Sequence, residues 1–195
     1  MRSRFPWLTA GVVALCLAAS LAPAETFQYD RARVEAGEIW RLLTGQMLHW
    51  TARMAALDLG MLLVLGGWLE MWGDRRSAAL ALLLGAGSTA LAVHFLSPRL
   101  SSYRGSSGLA SALFILAALR VVRSAQGAPR ALALLAMGMF LAKAAWELVT
   151  RQTIFAGPLP AGVEVVPLVH LFAGLAGAAA AGLEWTDRQR ESAAR

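Results

Sequence analysis

Six apolar blocks, at about residues 7–24, 47–72, 78–96, 107–122, 130–149 and 164–185, constrain this chain more than any other feature. Their lengths lie near the roughly 17–25 residues a helix needs to cross a bilayer. The 195 residues are 57% hydrophobic, against about 45–50% in an ordinary soluble domain. The excess sits inside the blocks, so residues 1–195 read as one all-α membrane domain with six transmembrane helices. The formal charge of +6 does not indicate nucleic-acid binding, because the arginines lie mostly at block ends, where membrane topology uses them. The single cysteine, Cys16, is within an apolar block and offers neither a disulfide nor a metal cluster. His49, His94 and His170 match no zinc spacing, so no metal is expected. No organic cofactor is implied either.

The first block ends in Ala22-Pro23-Ala24, which resembles a signal-peptidase site. A cleaved leader is thus the alternative to a retained first helix. The retained helix is preferred because the later blocks need a packing partner. Residues 25–46 form a polar loop, in which Glu38-Ile39-Trp40-Arg41-Leu42-Leu43 reads as an amphipathic segment at the interface. There Trp40 and Arg41 read as headgroup anchors. Asp58 lies inside the second block, where a carboxylate is costly and should face a cavity or a partner. Asp74-Arg75-Arg76 makes a short charged turn. His94 reads as an interfacial residue. Lys143 and Glu147, four apart in the fifth block, read as a structural pair on one helix face.

Gly105-Ser106-Ser107-Gly108 opens the fourth block after a polar, basic loop. A serine in the first turn of a helix lies among backbone N–H groups without intrahelical partners. Those donors and the positive end of the helix dipole can stabilise a developing oxyanion. By itself the motif reads as a helix start with a capping serine. The fourth block, though, is about 24 Å long, shorter than the roughly 30 Å hydrocarbon core. Its start is therefore expected below the membrane surface, beside a wet pocket, since irregular backbone at that depth needs one. Six spans place both termini on one side. Ten arginines fall on that side and seven on the other, with Arg2, Arg4 and Arg195 among the ten. The termini are accordingly expected in the cytoplasm. Ser107 and His170, near the start of the sixth block, then lie at similar depth towards the outer face. A histidine within about 3 Å can take the serine proton. No acidic residue on the sixth block offers a third member, so a Ser107–His170 dyad is the expected machinery.

With these motifs in order, the chain resembles the rhomboid family of intramembrane serine proteases over nearly its whole length. Trp40-Arg41 is similar to the family's W-R in the first loop, and His49 to a histidine before the second helix. Leu65-Gly66-Gly67 with Glu70 is similar to that helix's later part. Gly105-x-Ser107-Gly108 resembles the catalytic motif. His170, Ala173 and Gly177 resemble H-x-x-G-x-x-x-G, with alanine at the first glycine. The Tyr103-Arg104-Gly105 lead-in and the Val-Val-Pro-x-x-His approach resemble the rhombosortase branch, associated with substrates that end in a GlyGly-CTERM tail.

The resemblance implies a six-helix rhomboid-like bundle in a bacterial-type inner membrane, with Ser107 as nucleophile and His170 as general base. It implies membrane-anchored protein substrates cut in a transmembrane or C-terminal anchor segment. Gly105, Gly108, the Ser107 amide and Asp58 would support the oxyanion. The family's usual histidine and asparagine in the second helix correspond to Met54 and Asp58. Met54 cannot donate a hydrogen bond, and Asp58 could donate only when protonated. Ser111 stands where the family often has an aromatic residue or histidine. These departures define the alternative, an inactive rhomboid-like protein that binds membrane clients. A transporter would need more buried charges than Asp58, Lys143 and Glu147.

Overall fold

The structure is a computed structural model that describes residues 5–72 and 75–194. Arg2, Arg4, Asp74 and Arg195 lie outside the described residues. Among the described residues, five helices are long and apolar enough to cross a membrane: α2 (Ala52–Trp72), α3 (Arg75–Phe95), α4 (Ser107–Ser124), α5 (Ala128–Thr150) and α6 (Pro167–Ala193). A shorter apolar helix, α1 (Trp7–Ala19), precedes them. Its 13 residues span about 20 Å, less than a hydrocarbon core. The chain is therefore a multi-pass helical membrane protein with five full-length candidate spans and a short first helix.

Local chemistry sets the helix ends. The second helix starts five residues later than the apolar block because Thr51 caps it, its hydroxyl accepting the Met54 N–H at 3.1 Å. Pro167 occupies the first turn of α6, where its missing N–H costs nothing. The same helix runs past Trp185 to Ala193, extended by the Glu184–Arg188 pair. At the start of α1 the orphan N–H groups of Leu8 and Thr9 meet Glu70 of α2, at 3.1 and 2.6 Å. Thr9 also donates its hydroxyl to Glu70 at 2.6 Å, and Arg75 adds a bond at 3.2 Å. A buried carboxylate is thus fully partnered and ties α1 to the bundle.

Helix α4 is the most enclosed of the five spans and α5 the least. Around α4 pack α3, α5, α6 and the middle of α2. Leu113 and Leu116 of α4, Ala78 and Ala81 of α3, and Ala173 and Ala180 of α6 form the central core. Leu132, Leu135 and Met139 of α5 point outward, as expected where lipid is the neighbour. Small residues set the closest crossing. A Cβ on Gly177 of α6 would fall 2.1 Å from the Ala112 carbonyl oxygen of α4. Backbone meets backbone there, which only glycine permits.

The first loop folds back on the loop before Ser107. A two-stranded antiparallel pair, β1 (Tyr29–Asp30) and β2 (Ser102–Tyr103), joins them with Tyr29 opposite Tyr103. Arg41 is 2% exposed. Its guanidinium donates to the Glu25 and Gln28 carbonyls at 2.7 and 2.9 Å and to Glu38 at 2.6 Å. The expectation of a headgroup anchor is therefore corrected for Arg41, because two loop carbonyls and the Glu38 carboxylate claim three of its donors inside the protein. Ile39, Trp40 and Leu43 remain exposed. His94 accepts a role inside the protein as well: its Nδ1 lies 3.1 Å from the Tyr29 hydroxyl.

Candidate active site

Ser107 is the first residue of α4, and Gly105, two residues before it, has a φ of +152°. That backbone region favours glycine. The preceding residues are held from several sides. Tyr103 donates its hydroxyl to the Gly105 carbonyl at 3.0 Å. Burial pushes the Tyr103 phenol well above its ordinary pKa, so it stays protonated and remains a donor. Arg104 stacks 4.2 Å over the Trp50 ring and donates to Gln28 Oε1 at 3.0 and 2.7 Å. Gly108 lies where a Cβ would meet Thr89 Oγ1 at 2.1 Å and Val169 Cγ1 at 2.9 Å. That contact lets α3, α4 and the start of α6 converge just behind the serine.

The convergence brings together the two residues expected to react. Ser107 Oγ is 3.1 Å from His170 Nε2, across 63 residues of sequence. This is hydrogen-bond distance for a nucleophile and its base. The opposite edge of the ring is also engaged. Glu147 Oε2 of α5 lies 3.3 Å from His170 Nδ1, and the Glu147 side chain is 2% exposed. Lys143 Nζ donates to the same oxygen at 2.7 Å and stands 3.4 Å from Nδ1. The Ile154 N–H approaches the other carboxylate oxygen at 3.4 Å.

Serine, histidine and glutamate therefore stand in line, where a dyad was expected. The acid comes from the fifth block, not the sixth. Lys143 and Glu147 do pair on one helix face, but the pair abuts the histidine. Pairing with Lys143 already gives this carboxylate the partner that an apolar span demands, so the sequence alone does not point from Glu147 to His170. Glu147 Oε2, 3.3 Å from Nδ1, is placed to accept a proton held on that nitrogen. Nε2 is then free to accept from Ser107.

A second polar cluster adjoins the first. Asp58 Oδ2 accepts the Ser106 N–H at 3.1 Å and lies 3.4 Å from His49 Nε2. His49 Nε2 is also 3.0 Å from Ser106 Oγ. Both contacts fall on one ring nitrogen, so this group cannot relay a proton as the other can. It clamps the peptide just before Ser107. Asp58 thus reaches the site as an acceptor on the neighbouring amide, and its influence on an oxyanion would pass through that clamp. The Ser107, Gly108 and Leu109 N–H groups start α4 with no preceding turn to bond. They are the donors the fold supplies beside the Ser107 hydroxyl. Ser111, one turn on, turns its hydroxyl back to the Ser107 carbonyl at 2.8 Å, a bond within the helix.

No model of a known protein family matches the chain, and a search of curated proteins gives no significant match.

Proposed function

We propose that this protein is an intramembrane serine endopeptidase of rhomboid type. The observation that carries the reading is Ser107 Oγ 3.1 Å from His170 Nε2, with Glu147 on the far nitrogen. In the proposed reaction Ser107 Oγ adds to a substrate carbonyl carbon while its proton passes to Nε2. Glu147 holds the resulting imidazolium. The carbonyl oxygen gains the negative charge beside the N–H groups at the start of α4. The C–N bond then breaks, and His170 gives its proton to the leaving amine. Water enters, loses a proton to His170 and adds to the acyl carbon; the bond to Ser107 Oγ breaks as His170 returns the proton to that oxygen.

The substrates proposed are membrane-anchored proteins cut in a transmembrane or C-terminal anchor segment, GlyGly-CTERM tails among them. Small, helix-breaking residues there would let the scissile peptide unwind and reach a serine at a helix N-terminus. The termini are proposed to be cytoplasmic and the site to open towards the outer face of a bacterial-type inner membrane. Asp58 favours a second reading, a client-binding protein without activity. Its carboxyl group accepts the Ser106 N–H one residue before the oxyanion donors, and negative charge there would oppose charge development.

Cleavage in proteoliposomes separates the two. The wild type is expected to cut a single-span substrate bearing a GlyGly tail motif, and Ser107→Ala to leave it intact. Binding of that substrate by both proteins, with cleavage by neither, would favour the client-binding reading.

A further inference from the structure

At the end of α4 opposite Ser107, a cavity of about 220 Å³ opens between α4 and α6. Arg120, Arg123 and Arg188 line it, with Glu184, Ala181 and Trp185. Three arginines against one glutamate leave a local excess of two positive charges. The single carboxylate is shared: Arg120 Nη2 lies 2.8 Å from Glu184 Oε1, and Arg188 pairs with the same oxygen. Arg120 is largely enclosed, its side chain 15% exposed, and its buried Nε has no acceptor among the described residues. Arg123 has neutral partners, the Ala181 carbonyl at 2.7 Å and the Trp185 ring at 5.6 Å. Asp187, next in line on α6, is taken by Arg76.

A guanidinium donor withdrawn from water with no acceptor is costly, and an anion in the cavity would relieve it. The position fits a particular anion. Arg120 and Glu184 stand where the apolar stretches of α4 and α6 end, and Trp185 marks the level of an aromatic belt. Phosphate groups of phospholipids lie at that level, and basic pockets between membrane helices receive anionic headgroups. The planar guanidinium matches phosphate oxygens in pairs.

We propose that this cavity binds a phosphate group, supplied by an anionic lipid headgroup or by free phosphate. The site is independent of Ser107, and its ligand would hold the ends of α4 and α6 together. The test uses the purified full chain in mixed micelles, with dioleoyl phosphatidylglycerol, dioleoyl phosphatidylcholine or inorganic phosphate as probes. Thermal unfolding and native mass spectrometry are the readouts. Phosphatidylglycerol is expected to raise the unfolding temperature and remain bound through delipidation at least fivefold better than phosphatidylcholine. Stabilisation by millimolar inorganic phosphate to the same degree would assign the site to free phosphate. Arg120→Gln combined with Arg123→Gln is expected to abolish the preference. If that variant fails to fold, Arg188→Glu, at a position 59% exposed, cancels the charge excess and should remove the preference by itself. Equal response to both lipids and none to phosphate, or a preference that survives Arg188→Glu, would overturn the proposal.

Discussion

Glu147→Gln is expected to slow acylation of Ser107 by on the order of 1,000-fold in protein that still folds, with a lowered unfolding temperature because Lys143 loses its counter-ion. Removing the carboxylate charge from a serine–histidine pair costs about that much or more in enzymes that use one. The reason is orientation and charge together. A glutamine can present its NH₂ to Nδ1, which fixes the wrong tautomer and leaves Nε2 protonated. Lys143, 2.7 Å from the carboxylate in the native protein, would lose its counter-ion and face the ring uncompensated. Glutamine keeps the volume, so packing of α5 on α6 should survive. Glu147→Asp is expected to recover part of the rate, because the charge remains on a shorter arm. Reaction rates with a serine-directed phosphonate, compared with thermal unfolding of each variant, provide the check. A Glu147→Gln protein that reacts at the wild-type rate would remove the glutamate from the mechanism. One that is slow only because it unfolds would reduce it to a structural residue.

Gly177→Val should be the most damaging change away from the reacting atoms. Even a methyl at this position would fall 2.1 Å from the Ala112 carbonyl oxygen, and main chain cannot step aside as a flexible side chain can. The helices must separate. Forcing extra volume into such a contact costs about 3 kcal/mol. Separation also carries His170, seven residues earlier on α6, away from Ser107, five residues before Ala112 on α4. A displacement of about 1 Å at a reacting pair costs on the order of 100-fold in rate. Gly182, on the same helix, has open space where a Cβ would go. Gly182→Val is therefore the matched control and is expected to shift stability by about 0.5 kcal/mol. Thermal unfolding and phosphonate reactivity of the two variants should diverge widely. Equal behaviour would mean that the α4–α6 crossing does not govern the site.

Much of this was legible in the sequence because membranes simplify the reading. Apolar block length set the helices to within a few residues, with the ends decided by Thr51 and Pro167, short-range signals of ordinary helix chemistry. Two ends were exceptions: the sixth helix overran its block by eight residues, to Ala193, and the first fell short of its block. Its apolar run continues to Ala24, but helix α1 ends at Ala19, and Pro23 fits the short turn that follows. The serine and histidine could be matched because each opens a block on the same side of the bundle. Their partner could not be matched in that way. Glu147 lies near the end of α5, and its i,i+4 lysine already supplied a local explanation. The contact with His170 depends on how α5 leans on α6, which no periodicity encodes. Arg41 was misjudged for a related reason. Besides Glu38 its partners are carbonyls of a loop that has no regular pattern, and a tryptophan beside an arginine is also what an interface anchor looks like.

Reaction of the detergent-solubilised protein with a fluorophosphonate, mapped to the modified residue by mass spectrometry, shows directly whether Ser107 is an activated nucleophile. The geometry predicts one adduct, on Ser107, that disappears in Ser107→Ala and in His170→Ala while both variants keep the wild-type helical content. The absence of an adduct from folded wild-type protein, or an adduct that persists in folded His170→Ala, would contradict the account.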